Sequence, residues 1–363
     1  MKSIKCFLIN LLFFAFLQNF FLACNSTEPK YNKLDLTIQN WGLYDINNFG
    51  NSNNQITALV IDNQNVLWVG SWNGLAKNDG NNWIQYDTNN SGLSNNYVTC
   101  ITIDNRNNLW IGTSDGLTKF DGRSWIVYNT NNSPLPIKNI RALAVDKNNT
   151  LWIGCGDFTL GGLISFSNNK WDIYTKYNST LPSSIINVIH IDKNDNKWIG
   201  TDNGLVKIDN HNNWNVYTKN NSGLLFSVNT LSTDSHNNVW IGSIELERLD
   251  YNYYYGGLQK FDGENWFDFR PHQNGNYNSN AIVSNRVSNI ACDRNDYLII
   301  ATQTEWKYPY NLSFFKNDKW INLLDIADGF PFNPFIHDIE IDKNNTVWLA
   351  TQFGVVYFNY SYQ

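Results

Sequence analysis

Histidine is the side chain best suited to moving protons near neutral pH, and this 363-residue chain has five: His190, His211, His236, His272 and His337. No spacing around them marks one out as a catalytic base. His211 and His236 fall in Asn-rich turns. His190 occupies a place that related segments fill with Val60, Thr102 and Ala144, and the last segment fills it with Glu340. That shared place points His190 and Glu340 toward a common central channel, although a satisfied buried His is the plainer reading of His190. His272 follows Arg270 in a long inserted loop and is the best-placed candidate for a general base. Cys100, Cys155 and Cys292 have no second Cys and no His at ligand spacing, so they read as buried thiols. The run Asp192, Asn194, Asn196 begins like a Ca²⁺ loop but lacks the Gly and the distal Glu. An Asx turn accounts for it. No metal and no cofactor are expected.

The elements that must position these residues come from a repeat. Residues 56–86 and 98–128 align without a gap, 42 residues apart. The same unit restarts at Ile140, Ile186, Val228, Val287 and Phe335. Self-similarity at this period indicates one supersecondary unit used again and again. Each unit reads as four short strands. The first ends in an Asp (Asp62, Asp104, Asp146, Asp192, Asp234, Asp293, Asp342). The second carries a Trp (Trp68, Trp110, Trp152, Trp198, Trp240, Trp348), with Ile299 in its place in the sixth unit. The third resembles Gly-Leu-x-Lys-Phe and closes in a turn such as Asp121-Gly122, which suits a tight hairpin. The fourth carries Trp83, Trp125, Trp171, Trp214, Trp266 or Trp320.

The last unit lacks a fourth strand, and Trp41-Gly42-Leu43-Tyr44 matches Trp83-Ile84-Gln85-Tyr86. The N-terminal strand is therefore expected to complete the last unit. Both strand tallies then reach seven, and the fold class is all-β: a seven-bladed β-propeller of four-stranded antiparallel blades spanning residues 38–363. Radial packing covers each blade's two faces and leaves only short edges. The Gly of each Trp-Ile-Gly is expected to make room for a neighbouring ring.

Insertions concentrate in the second-to-third loops and the inter-blade connections, which share one face. They span 243–256 and 270–286 in blade 5, 302–311 and 325–334 in blade 6, and a smaller 155–162 in blade 3. Of the 15 Trp residues only Trp72 and Trp306 lie outside the two repeat positions, and both belong to second-to-third loops. With Tyr253, Tyr254, Tyr255, Tyr308 and Arg270 they form the expected ligand-binding set. Aromatics beside amides and charges suit a sugar ring or a protein partner. Packing of these rings against their own loops is the competing reading.

Before the repeat, Lys2 and Lys5 precede an apolar run that ends at Ala23, which reads as a signal peptide over residues 1–23. Phe21-Leu22-Ala23-Cys24 resembles a bacterial lipobox. The resemblance implies a lipidated Cys24 and a polar tether over 24–37, with membrane attachment only through the anchor. The expected location is the bacterial cell envelope, periplasmic or at the cell surface. Formal charge is −6, and no basic stripe is present, so nucleic acid is not an expected partner.

The pattern at Asp104–Leu117, DNRNNLWIGTSDGL, resembles the two-component regulator propeller repeat across the whole of 38–363. One departure recurs: the Gly common in that family's first turn is Asn here, as at Asn107 and Asn149. Asn also tolerates left-handed backbone. The resemblance implies extracytoplasmic sensing or binding, without the kinase that larger family receptors carry. The repeats are also loosely similar to streptogramin lyase propellers. Function thus stays open between a binding or sensing propeller for an oligosaccharide or envelope protein, a lyase or hydrolase acting on a glycan or cyclic ester, and a protein-interaction scaffold.

Overall fold

The computed structural model describes residues 36–45, 55–79, 82–244, 256–270, 272–273, 276–277, 282, 284, 286–303, 311–322 and 335–362. Among them are seven four-stranded antiparallel sheets and one two-stranded ribbon, His272–Gln273 with Asn276–Tyr277. Blade 1 shows the unit: Ile56–Ile61 innermost, then Leu67–Ser71, Gly74–Asn78 and, outermost, Trp83–Tyr86. Strands alternate in direction, so two faces result. The loop face carries the second-to-third loops and the inter-blade connections. The turn face carries the remaining hairpins.

Each first hairpin is organised by its Asp. Asp104 Oδ1 accepts the backbone N–H groups of Arg106 and Asn108, 2.9 Å each, closing an Asx turn. Its Oδ2 accepts Trp110 Nε1 at 3.2 Å and Asn108 Nδ2 at 2.8 Å. Burial alone would raise the Asp104 pKa, but these donors outweigh it and hold the carboxyl below its ordinary range. The carboxylate-to-indole bond recurs in blades 1, 3, 4, 5 and 7, at 2.9 to 3.4 Å. It fixes where the indole lies, and the indole lies in a seam. Trp68 meets Phe120 of blade 2 edge-on at 6.0 Å and its own blade's Tyr86 at 6.1 Å.

There are seven such seams, each with its own apolar cluster. Trp68, Leu75, Leu109 and Ile111 join blades 1 and 2. Ile56, Val69, Ala350 and Val355 join blades 7 and 1, which closes the ring. As expected, the N-terminal strand Leu36–Asp45 completes blade 7, pairing antiparallel with Gly354–Tyr362. Trp41 faces Phe358, as Trp125 faces Phe120 in blade 2. The strand begins at Leu36, ahead of the expected start at 38.

Two expectations about small residues are refined. The Gly after each second-strand Trp makes room for a β-branched side chain, not for a ring. A Cβ on Gly70 would come within 2.5 Å of Val98 Cγ1, the first residue of the next inner strand, and one on Gly112 within 2.8 Å of Ile140 Cγ2. The first-turn Asn residues do adopt left-handed backbone, with φ of 63° at Asn107 and Asn149. Their side chains do more than tolerate it. Asn107 Oδ1 accepts Asn63 N–H of the preceding blade, and Asn149 Oδ1 accepts Asn105 N–H. Asp195 and Asp296 do the same for Lys147 and Ser235. A Gly could supply the φ but not this tie between blades.

Blade 6 tests the rule because the Ile299 side chain has no N–H to offer. There Asp293 Oδ2 accepts Tyr360 Oη at 2.7 Å, Tyr362 Oη at 3.1 Å and Asn345 Nδ2 at 3.0 Å, all from blade 7. Tyr362 also stacks on Tyr297 at 3.9 Å. The extended last strand thus replaces the missing indole. Burial and Asp293 together hold the Tyr360 phenol far above its ordinary pKa. Replacing Tyr360 and Tyr362 together by Phe takes two donors from a buried carboxylate. The expected cost is about 1–3 kcal/mol, read as a lowered urea midpoint with an unchanged m-value.

Candidate functional site

The loop face is held rigid in blades 1 to 4 by a connection that recurs four times. After the first outer strand, Asn90 Oδ1 accepts Asp87 N–H, Asn90 Nδ2 donates to Gln85 O, and Ser91 Oγ donates to Asp87 O. Leu93 then drops into the seam. Asn132-Ser133, Asn178-Ser179 and Asn221-Ser222 repeat this knot, followed by buried Leu135, Leu181 and Leu224. The Asn-Ser-x-Leu spacing is present in the sequence, and reading it would have separated these fixed connections from the variable ones.

Of the expected ligand-binding set, Trp72 and Arg270 are described. Tyr253, Tyr254, Tyr255, Trp306 and Tyr308 lie outside the described residues, as do the side chain of His272 and the lipidation candidate Cys24. Trp72 is exposed on the loop face of blade 1, separated by blade 7 from blade 6. Its partner there is a residue the sequence reading passed over. Tyr97, beside the start of a strand, packs against it with ring centroids 5.6 Å apart. Arg270 is engaged within blade 5. Its Nε and Nη2 donate to both oxygens of Asp268 at 2.7 to 3.0 Å, and its stem lies over Gly257.

Exposed large apolar side chains sort by position. Trp41, Leu43, Ile84, Ile126 and Phe267 are on outer strands. Trp72, Tyr97, Phe158, Leu160, Tyr177, Ile244 and Phe353 are on the loop face. Among the described residues the turn face has none. A scaffold without a preferred face would show no such division.

The inner strands bring titratable groups together in a different way from the one expected. His190 and Glu340 belong to blades 4 and 7, which share no seam. His190 Nε2 instead lies 2.9 Å from Thr233 Oγ1 of blade 5. Burial brings its pKa down to about 4 despite Asp192, so the ring is neutral. Burial likewise lowers His337 to about 4. On blade 7, burial raises Asp338 to about 6, although Leu59 N–H of blade 1, Ile339 N–H and Asn289 Nδ2 of blade 6 all donate to it. Glu340 rises further, to about 8, through burial and the charges of Asp338 and Asp342. Burial also pushes the Cys100 and Cys155 thiols up to about 12, so both are inert at neutral pH. The Asp192 carboxylate is filled by Asn194 and Asn196 N–H, Asn196 Nδ2 and Trp198 Nε1, which is the Asx turn expected.

A seven-bladed β-propeller with a rigid, apolar-studded loop face is the class these features define. Segments 50–73, 92–115 and 134–157 match the family model described as "Two component regulator propeller". Those three segments are therefore two component regulator propeller repeats, as the sequence pattern implied for them. Among solved structures the chain is similar to the extracellular domain of BT3049 of B. thetaiotaomicron, described as a hybrid two component system. That match has 20% identity and a TM-score of 0.67 over 88% of this chain and 41% of that one. This chain thus spans about two fifths of that domain. It is similar to the virginiamycin B lyase of Staphylococcus aureus at 13% identity and a TM-score of 0.64, over 89% of this chain and 100% of that one. It is similar also to YCF48 bound to D1 peptide, at 11% identity and a TM-score of 0.60, over 91% and 99%. At these identities the likeness is one of fold. No curated protein matches the chain.

Glu340 supplies a pH test. Its pKa is raised on folding, so its contribution to stability is present below about 4.5 and is lost as pH rises through 8. Glu340→Gln mimics the protonated form at every pH. Its urea midpoint should equal that of the wild type near pH 4 and exceed it increasingly up to pH 9. Parallel curves would show the carboxyl to be ordinary.

Proposed function

We propose that this propeller is an extracytoplasmic binding or sensing module. On this reading its loop face engages a carbohydrate-like ligand or an envelope protein, mainly through the loops of blades 5 and 6. The observation that carries the reading is the sorting of exposed apolar side chains onto the loop face and away from the turn face. Variable loops on a rigid scaffold are where binding concentrates, and here four connections are fixed while the insertions gather in two adjacent blades. The likeness to an extracellular sensor domain supports a location outside the cytoplasm, as does the signal-peptide reading of residues 1–23. Strand polarity supports the same arrangement. The outer strand of blade 7 starts at Leu36 on the turn face, so a tether from Cys24 joins the molecule there and leaves the loop face free. Among the described residues no helix is long and apolar enough to cross a membrane.

A second reading, a propeller lyase, is favoured by the likeness to virginiamycin B lyase over that enzyme's whole length. His272 is its candidate base. The two readings separate in one set of assays. Trp306→Ala combined with Tyr254→Ala should abolish ligand binding on a glycan array while leaving the melting curve unchanged. Retained binding would remove blades 5 and 6 as the site. Turnover of a glycan or cyclic ester that disappears in His272→Ala would establish the lyase in place of the binding module.

A further inference from the structure

We infer that Trp72 and Tyr97 form a separate subsite, at the seam of blades 1 and 2, that stacks a neutral sugar ring. The inference rests on the reading of the loop face as a binding face and adds a place and a ligand chemistry to it. Trp72 is 43% exposed and Tyr97 39%, and their rings touch at 52° with centroids 5.6 Å apart. Rings in contact leave no slot between them, so a ligand must lie on their outward faces.

The corner combines two rings that no other described corner of the ring combines. Where blade 1 has Trp72, equivalent turns have Ser114, Asp202 and Gln352. Where Tyr97 precedes the inner strand of blade 2, other units have Asn139, Ile185, Ser227 and Phe335. Seam packing does not require either ring, since blades 2 and 3 meet with Ser114 and Asn139 at these places and blades 4 and 5 with Asp202 and Ser227. Yet the backbone beneath is fixed. Trp72 N–H donates to Gln55 O at 3.1 Å, and Ser114 N–H donates to Tyr97 O at 3.1 Å. Asn95 Oδ1 accepts both Tyr97 N–H at 2.8 Å and Ser114 Oγ at 3.0 Å. Asn96 Oδ1 accepts Thr88 N–H at 2.9 Å. An aromatic surface whose backbone is already set loses little freedom on binding.

The surroundings select the ligand. Asn73, Asn95, Asn96 and Ser114 give the corner a neutral rim of amides and a hydroxyl. Along the loop face, Asp87 Oδ1 accepts the N–H groups of Asn89 and Asn90 at 2.7 and 3.0 Å, and Asp115 and Lys138 neutralise each other at 2.8 Å. An anionic ligand gains nothing there. A pyranose ring offers an apolar face to the indole and hydroxyls to the rim. A proline-rich peptide also stacks on aromatics, but it needs a groove between ridges, and these two rings are closed on each other.

The test uses full-length protein and four neutral probes: cellohexaose, xylohexaose, laminarihexaose and maltohexaose, with decaproline as the peptide arm. Binding is read by calorimetry and by the blue shift of Trp emission. At least one hexaose should bind, with affinity reduced tenfold or more in Trp72→Ala and Tyr97→Ala. Tyr97→Phe should stay within threefold of wild type, and Ile84→Ala, exposed on an outer strand, should be unchanged. Hexaose binding lost in Trp306→Ala but unchanged in Trp72→Ala and Tyr97→Ala would overturn the corner and leave the loop-face reading standing. Binding of no hexaose, or of decaproline alone, would overturn the sugar assignment.

Discussion

The bond from a buried carboxylate to an indole N–H governs this molecule. The Asp that ends each inner strand has two oxygens and two tasks. One oxygen closes the turn on its own backbone, and the other holds the second-strand Trp. A buried carboxylate left without donors is costly, and a Trp whose N–H finds no acceptor loses part of its gain from burial. Each residue therefore needs the other. Their pairing sets the indole at the depth where, in blades 1, 2, 4 and 5, it meets the next blade's Phe. Turn, strand and seam become one unit, repeated around the ring.

The sixth blade shows that the acceptor matters more than the particular donor. With Ile299 in the Trp position, the last strand runs on to Tyr362, and two phenols and an amide approach Asp293 from blade 7. A similar exchange occurs in blade 3. There Ser165 replaces the Lys that in blades 1, 2, 4 and 5 lies over the Trp, and Lys197 of blade 4 lies over Trp152 instead, within reach of Asp146. In both places a neighbouring blade supplies the missing group. Seams of this kind tie successive blades into a closed ring, and the ring in turn fixes the ends of its loops.

That fixity explains the division of labour on the loop face. Connections in blades 1 to 4 use their Asn and Ser side chains to satisfy their own backbone, which holds each connection in one shape. What breaks the pattern there is apolar and exposed, as at Trp72 and Tyr97, or at Phe158 on its tight turn closed by Asp157. The inner strands follow a different logic. Their titratable groups are shifted toward neutrality, with neutral imidazoles at His190 and His337 and a protonated Glu340 at pH 7. Burial in the middle of the ring does this without any catalytic demand.

The sequence by itself determined the blade count and the closure through Trp41, because both follow from periodicity, and periodicity survives in a linear string. It determined the Asp turns and the left-handed Asn positions, which depend only on residues a few places apart. It also singled out Trp72, since a residue outside a repeat is visible as such. Tertiary structure alone decided what lies across the seams. The space left by Gly70 and Gly112 belongs to Val98 and Ile140, the Asn107 amide reaches Asn63, and the Asp293 carboxylate is met by Tyr360. Tyr97 became a partner of Trp72, and His190 and Glu340 were parted by the spacing of their blades. Each of these contacts joins residues about 25 or more positions apart. Their geometry is set by how neighbouring sheets tilt against each other, and no local pattern encodes that tilt.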